Sequence, residues 1–113
     1  MLASKDGKTN ASIIKKIASE VATFQKNYAT ILVSSGAVSS GKHFLKNYKA
    51  TLTERKAAAA IGNPILINNY QKHFSKHNLT VAQALCERHH FSNRNQLLQL
   101  KNTFEEFWNN DII

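Results

Sequence analysis

The sequence predicts an α/β fold with a mostly parallel β-sheet, and two observations support this prediction. Apolar residues recur at helical spacing over residues 11–26, and a short apolar run rich in β-branched residues follows at residues 30–33. A second such run lies at residues 79–85, after another helix-forming segment. Continuous apolar strands that alternate with helices are typical of parallel sheets that are covered on both faces.

Length and composition indicate a single domain, or part of one, in the cytoplasm. The chain has 113 residues, of which 42% are hydrophobic, so it can bury a core. No apolar run is long enough for a membrane span, and the polar start shows no secretory signal, so no membrane partner is expected. Cys86 is the single cysteine, which excludes an internal disulfide and suits a reducing compartment.

The chain is basic, with a formal net charge of +8 from 15 Lys and Arg against 7 Asp and Glu. Such a balance favours polyanionic partners, whether nucleic acid, nucleotide phosphates or acidic surfaces. The basic residues are dispersed along the sequence, which weighs against a nucleic-acid-binding surface. A small basic nucleic-acid-binding protein is therefore the weakest of the functions considered.

The first predicted helix covers residues 11–26, with Thr9 or Asn10 as its N-cap. Its apolar stripe consists of Ile13, Ile14, Ile17, Val21 and Phe24. The run at residues 30–33 is predicted to be a strand, and residues 34–41 form the loop that follows it. A short helical stretch is expected over residues 42–48.

Two helices are predicted for the middle of the chain. Thr51 and Glu54 have the spacing of a capping box, in which each side chain accepts a backbone N–H of the other residue. The stretch ERKAAAAI favours a helix that Gly62 ends. Asn63 and Pro64 are then predicted to open another helix, which ends near residues 77–78. The buried side of that helix is expected to contain Leu66, Ile67, Tyr70 and Phe74.

The last third of the chain is predicted to contain a strand at residues 79–85, one more helix and the opening of a third strand at residues 111–113. Ser92 is the expected N-cap of the helix, with a break near Asn102. The aromatic residues Phe104, Phe107 and Trp108 are expected to belong to the core.

The stretch ILVSSGAVSSGK at residues 31–42 contains a glycine-rich loop that allows several interpretations. Gly36 and Gly41-Lys42 have the spacing of a phosphate-binding P-loop, GxxxxGK. However, His43 stands where that motif places the Ser or Thr that holds magnesium, and magnesium strongly prefers oxygen ligands. The alternative is a strand-to-helix turn whose glycines serve backbone geometry only.

A third interpretation, a carboxylate site, is implied by the family resemblance given below and also makes physical sense without it. Open α/β sheets bind ligands at the carboxyl ends of their strands. There, the Ser35 hydroxyl and unpaired backbone amides of Gly36 and Ala37 could hold an amino-acid carboxylate. Ser34 is expected either to pair with the loop or to bond its own turn. The residues alone do not decide between these interpretations.

Three sequence blocks resemble the N-terminal half of the bacterial glutamate 5-kinases, which belong to the amino-acid kinase family. The blocks are VSSGAVSSGK, RKAAAAIGNPILINNY and LTVAQALCERHHF, in the order and at the spacing of that family. The resemblance covers nearly the whole chain. It implies a partial three-layer αβα sandwich with a mostly parallel sheet, in which residues 1–113 form a single truncated amino-acid kinase domain.

The resemblance also implies a function, the ATP-dependent phosphorylation of the side-chain carboxylate of L-glutamate in proline biosynthesis. It makes Ser35, Gly36 and Ala37 the substrate-binding residues, contacting L-glutamate, and identifies no catalytic residue. ATP and Mg are implied as cofactors, but the first strand and the ATP-binding half of the family have no counterpart in this sequence. The isolated chain is therefore expected to be inactive, and to use ATP only if another chain completes it.

The alternative to an enzyme is a non-catalytic remnant that acts in assembly or partner binding, and a homo-oligomer is left open. His73 and His77 are four residues apart, a spacing that can chelate zinc, but no Cys or carboxylate lies at motif distance. No metal site is therefore predicted, and both histidines are expected at the surface. Cys86 is expected to be a small buried residue at a strand end.

Overall fold

Helices make up most of the computed structural model, which describes residues 11–113. In chain order these residues form α1 (Ala11–Gln25), α2 (Ala37–Gly41), a 3-10 turn (Lys42–Phe44), α3 (Leu52–Ser75), α4 (Arg88–Ser92) and α5 (Arg94–Asn109). Irregular segments join α1 to α2 and α3 to α4. The described residues form a layer of 45 × 36 × 16 Å, so this part of the chain is thin in one direction.

The predicted α/β sandwich with a mostly parallel sheet is wrong. Of the residues that the structure describes, 66% are helical and 2% have strand pairing, and they form no sheet. Among residues 11–113, the segment at residues 30–33 has no paired strand beside it, and the segment at residues 79–85 forms one parallel bridge, between Thr80 and Ile112. Apolar runs indicate where a chain can be extended, but a sheet also needs neighbours for its backbone N–H and C=O groups.

This bridge, the one that the described residues form, ties residues 112–113 to the segment at residues 79–85. The Ile113 N–H donates to the carbonyl oxygen of Thr80 at 3.0 Å, and the Ala82 N–H donates to the carbonyl oxygen of Ile113 at 2.8 Å. The predicted third strand at residues 111–113 is therefore reduced to this contact.

The hydrophobic core lies between α1 and α3. Its buried side chains are Ile14, Ala18 and Val21 from α1, and Leu66, Tyr70 and Phe74 from α3. Their spacing of three and four residues places each set on one face of its helix. The edge of this core is formed by partly buried residues of the irregular segments, among them Leu32, Leu79, Val81 and Ile113.

Helix α1 confirms the helix predicted over residues 11–26, and the proposed caps Thr9 and Asn10 lie outside the described residues. Phe24, predicted for the buried stripe, is exposed. An α-helix turns by about 100° per residue, so Phe24 lies roughly 80° around the helix from Ile14. Ala18 lies much closer to the centre of the buried face and is fully buried.

Helix α3 begins as predicted but does not end at Gly62. The capping box is present, since the Glu54 N–H donates to Thr51 Oγ1 at 3.2 Å and the Thr51 N–H donates to Glu54 Oε1 at 3.1 Å. The helix then runs for 24 residues, through Gly62 and Pro64. Both residues weaken a helix locally. However, α2 packs against α3, and the core packs against α3 at Leu66, Tyr70 and Phe74. Tertiary packing therefore overrides these local stop signals.

Helix α5 also differs from the prediction. Its N-cap is Asn93, whose Oδ1 accepts the N–H groups of Asn95 and Gln96, and not Ser92. The helix continues through Asn102 without a break. The predicted core position of Phe104, Phe107 and Trp108 is wrong, because α5 has no fully buried residue and these side chains contact one another at its half-buried face.

Within the part of the chain that the structure describes, no helix combines the length and the apolarity that a membrane crossing requires.

Candidate functional site in the loop at residues 34–41

The predicted substrate residues lie together in an exposed turn, residues 35–37. The Ser35 residue is exposed, and Gly36 and Ala37 are half-buried. Gly36 has φ 115° and ψ 0°, a backbone conformation that residues with a side chain rarely adopt. The chain turns there so sharply that α2 begins at the next residue, and the Ser40 N–H donates to the carbonyl oxygen of Gly36 at 2.9 Å.

The residue before this turn is held by α3. The Ser34 hydroxyl lies 2.8 Å from the Tyr70 hydroxyl, and it donates to the carbonyl oxygen of Ser35 at 3.2 Å. Of the two roles considered for Ser34, the bond within its own turn is present, and its second partner lies in α3 and not in the loop. Sequence reasoning placed Tyr70 in the core and missed its contact with Ser34. The available signal was that a buried tyrosine hydroxyl usually needs a hydrogen-bond partner.

The other end of the loop is packed against α3 through two glycines. A Cβ atom on Gly41 would overlap the carbonyl oxygen of Ala58 and lie 2.8 Å from the backbone nitrogen of Gly62. A Cβ atom on Gly62 would overlap the carbonyl oxygen of Ala37 and lie 2.9 Å from the backbone nitrogen of Gly41. The backbones of α2 and α3 are thus in direct contact, and each glycine is required for space.

This packing excludes the P-loop interpretation. In a P-loop, the Gly-Lys pair leads into a helix whose first N–H groups surround the phosphate. Here Gly41 is the last residue of α2 and is buried, and the exposed Lys42 follows in the 3-10 turn. Gly41 has φ −107° and ψ −22°, which do not require a glycine, so its role is to leave space for the helix contact and not the backbone geometry that the turn interpretation expected.

The candidate site is a turn in which Ser35 is exposed and Gly36 and Ala37 are half-buried. Two open grooves lie elsewhere, one of about 570 Å³ beside Pro64 and Leu85, and one of about 550 Å³ beside Lys26 and His77. Neither of them is lined by residues 35–37.

The histidines and the cysteine were partly misplaced by the sequence predictions. His77 is exposed as predicted, but His73 is 7% exposed, and its Nδ1 atom is buried without a hydrogen-bond partner. Burial lowers the pKa of His73, and the charges of Lys76, Lys72 and Lys15 lower it further. Cys86 is exposed and not buried, because residues 79–85 belong to no sheet that would cover it.

Among residues 11–113, no group of three or more His, Cys, Asp or Glu side chains is placed to hold a metal ion.

Comparison with known proteins gives a consistent result. The amino acid kinase family matches residues 1–113. The chain is similar to the glutamate 5-kinase of Trichlorobacter lovleyi, with 36% identity over 108 residues, which cover 93% of this chain and 29% of that protein. It is 34% identical over 110 residues to the glutamate 5-kinase of Teredinibacter turnerae, and the match covers 96% of this chain and 29% of that protein. It is 38% identical over 85 residues to the glutamate 5-kinase of Clostridium acetobutylicum, and the match covers 74% of this chain and 32% of that protein.

The resemblance seen in the three sequence blocks is thereby confirmed. The chain spans about three-tenths of the length of these relatives. The family match, in contrast, extends over all of its residues. This chain therefore belongs to the amino acid kinase family.

Proposed function

We propose that residues 1–113 supply the glutamate-binding part of a glutamate 5-kinase, an ATP-dependent phosphotransferase that acts on the side-chain carboxylate of L-glutamate. The observation that carries this proposal is the exposed turn at residues 35–37 in a chain whose relatives are glutamate 5-kinases. In this role the protein would act in the cytoplasm, in proline biosynthesis.

The chemistry of the turn suits a carboxylate. An ionised carboxylate only accepts hydrogen bonds, and the turn offers donors, namely the Ser35 hydroxyl and the backbone N–H groups of Gly36 and Ala37. The Ala37 N–H belongs to the first turn of α2, so it has no acceptor within that helix. Gly36 has no side chain that would keep a ligand away from its backbone.

Phosphoryl transfer requires more than this turn. ATP with magnesium, when bound, supplies the phosphoryl group and neutralises its charge. We assign no step of the transfer to the described residues. The chain corresponds to about three-tenths of its relatives, and we propose that it does not transfer phosphate without the remaining part of such an enzyme.

A partner-binding role without catalysis is the second candidate. It is favoured by apolar side chains at the surface of the irregular segments, where Val33 is 89% exposed and Ile31 and Leu85 are also exposed. Large apolar groups that face water in this way often mark a contact surface.

A titration of the ¹⁵N-labelled chain with L-glutamate tests the binding role. The amide signals of Ser35, Gly36 and Ala37 should shift with L-glutamate and not with sodium chloride at equal ionic strength. Ser35→Ala should weaken the response, and Ser92→Ala, an exposed serine in α4, should not. If the signals of residues 35–37 do not respond to L-glutamate, the glutamate-binding proposal is wrong and the partner-binding role is preferred.

A second assay tests catalysis. The purified chain is incubated with ATP, magnesium, L-glutamate and hydroxylamine, and γ-glutamyl hydroxamate is measured. We expect no product from the 113-residue chain alone. Product formed by this chain would contradict the proposal that the remaining part of the enzyme is required.

A further inference from the structure

We infer that Tyr70 is a positioning residue for the substrate turn and acts through Ser34. This inference rests on the proposed function of residues 35–37. Tyr70 lies in α3, is 3% exposed, and its hydroxyl is 2.8 Å from the Ser34 hydroxyl. Tyr70 does not contact residues 35–37 by a hydrogen bond of its own, so its effect on them is indirect.

The direction of the two hydrogen bonds follows from counting protons. A serine hydroxyl has one proton, and that of Ser34 is donated to the carbonyl oxygen of Ser35. With that proton committed to Ser35, Ser34 has only its lone pairs left for Tyr70, so we take the Tyr70 hydroxyl as the donor in the 2.8 Å contact, in which the geometry allows either hydroxyl to donate. The order is Tyr70 O–H to Ser34 O–H to Ser35 C=O. Hydrogen bonds in such a chain polarise and strengthen one another.

The end of this hydrogen-bond chain determines where an amide points. The carbonyl of Ser35 and the N–H of Gly36 belong to the same planar peptide unit and point in opposite directions. A Ser35 carbonyl that is held by Ser34 therefore fixes the direction of the Gly36 N–H, one of the proposed carboxylate donors. Donors that are oriented before the ligand arrives reduce the ordering cost of binding.

The position of the Tyr70 hydroxyl is set by the core. The ring of Tyr70 stacks near that of Phe74, with centroids 6.3 Å apart, and both rings are buried in the contact between α1 and α3. The Tyr70→Phe substitution keeps the ring and removes only the hydroxyl, so it separates positioning from packing. Ser34→Ala removes the next hydroxyl in the chain, at an exposed position.

The test compares wild type, Tyr70→Phe, Ser34→Ala and the double variant, each as the full 113-residue chain labelled with ¹⁵N. Two quantities are measured, the Kd for L-glutamate and the backbone order parameter of the Gly36 amide without ligand. We expect each single variant to weaken glutamate binding by about 2- to 10-fold, the range for one neutral hydrogen bond. The Gly36 order parameter should fall towards the value of roughly 0.6 below which backbone counts as flexible.

The double variant shows whether Tyr70 acts through Ser34. If Tyr70 acts through Ser34, then Tyr70→Phe has no further effect in the Ser34→Ala background, whereas independent effects would multiply. Tyr28→Phe is the control, because Tyr28 is an exposed tyrosine and should change neither quantity. If Tyr70→Phe does not fold, the Gly36 order parameter in Ser34→Ala decides alone, and an unchanged value overturns the inference.

Failure of the inference and failure of the proposed function give different results. If the wild type binds L-glutamate and Tyr70→Phe leaves both the Kd and the order parameter unchanged, the positioning role is wrong and the proposed function stands. If the wild type does not bind L-glutamate, the proposed function fails and the order parameter still tests the hydrogen-bond chain. A Gly36 order parameter that is lower in Tyr70→Phe than in the wild type then supports the role of Tyr70 in holding the turn, and an unchanged order parameter overturns that role.

Discussion

Gly41 and Gly62 touch where α2 crosses α3, and neither position has space for a Cβ atom. One glycine ends a five-residue helix and the other lies in the middle of a 24-residue helix. Because the obstructing atoms belong to the backbone, they cannot move aside as the end of a flexible side chain can. This contact fixes α2, and with it one end of the candidate site, on α3.

Gly62→Ala tests this contact. Alanine is favoured over glycine in a helix by about 1 kcal/mol, but here its Cβ atom would overlap the carbonyl oxygen of Ala37. We expect a net loss of about 1–3 kcal/mol in the free energy of unfolding, the usual cost of overpacking. Urea unfolding followed by circular dichroism measures it. Asn68→Ala, an exposed change in the same helix, should stay within about 0.5 kcal/mol of wild type, and a Gly62→Ala protein as stable as wild type would contradict the close contact.

Gly36→Ala tests the backbone of the substrate turn. At φ 115° a Cβ atom is strained, and left-handed conformations cost a residue with a side chain roughly 1–2 kcal/mol. We expect a loss of stability of about this size, together with weaker glutamate binding. Ser35→Ala provides the comparison, because it should weaken binding while leaving the unfolding midpoint unchanged. Equal stability of Gly36→Ala and wild type would show that the turn adopts another backbone conformation.

His73→Phe tests the effect of pH on stability. The pKa of His73 in the folded chain is lowered by burial and by Lys76, Lys72 and Lys15, so the unfolded chain takes up this proton first as pH falls. The stability that depends on neutral His73 is fully present above the unfolded pKa of about 6.5 and is lost as pH falls from there to the folded pKa. We expect the urea midpoint of the wild type to decrease between pH 7.5 and pH 5.5.

His73→Phe should show a smaller decrease over the same pH range. The exposed His77 provides the control, and His77→Asn should keep the wild-type pH dependence. Parallel pH profiles of wild type and His73→Phe would exclude His73 as the source of the effect.

Thr51→Ala tests the start of α3. The Thr51 hydroxyl accepts the Glu54 N–H, and losing such a cap usually costs about 0.5–2 kcal/mol. Thermal unfolding measures the loss, and Thr53→Ala, an exposed threonine in the same first turn, is the matched control. If both variants unfold at the same temperature as wild type, the capping box does not contribute to the stability of the folded chain.

The same motif predicts acid sensitivity. Hydrogen bonds from Thr51 and from the Lys49 N–H lower the pKa of Glu54. Its ionised form is therefore favoured in the folded chain, and the stability that it contributes is present above the ordinary glutamate pKa and is lost as pH falls through the lowered one. Glu54→Gln should be less stable than wild type at pH 6, and the difference should shrink towards pH 3.

The sequence was most informative about local features. The capping box at Thr51 and Glu54, the helix over residues 11–26 and the burial of Tyr70 and Phe74 follow from spacing alone, and the structure contains all of them. The three sequence blocks also identified the family correctly. The positions of Ser35, Gly36 and Ala37 as substrate residues remain a proposal.

Features that depend on a distant neighbour were not predictable. In the sequence alone, Gly62 indicates the end of a helix, but in the structure a glycine is required there because α2 packs against it. Ser92 and Asn93 are both suitable N-cap residues by type, and the structure shows that Asn93 accepts the backbone N–H groups. The apolar runs at residues 30–33 and 79–85 indicated strands, but within the described part of the chain Thr80 alone of these residues pairs with another segment, at Ile112. Pairing is a property of two segments, and a pattern in one segment does not determine it.

The attachment of the 34–41 loop to α3 has a consequence for chain length. Ser34 is held at Tyr70 and Gly41 at Gly62, eight positions earlier on the same helix, a rise of about 12 Å. Inserting or deleting one residue between these positions would change that distance by about 1.5 Å and rotate one attachment point by about 100° relative to the other. Residues 63–69 should therefore accept many substitutions at their exposed positions, but not a change in their number.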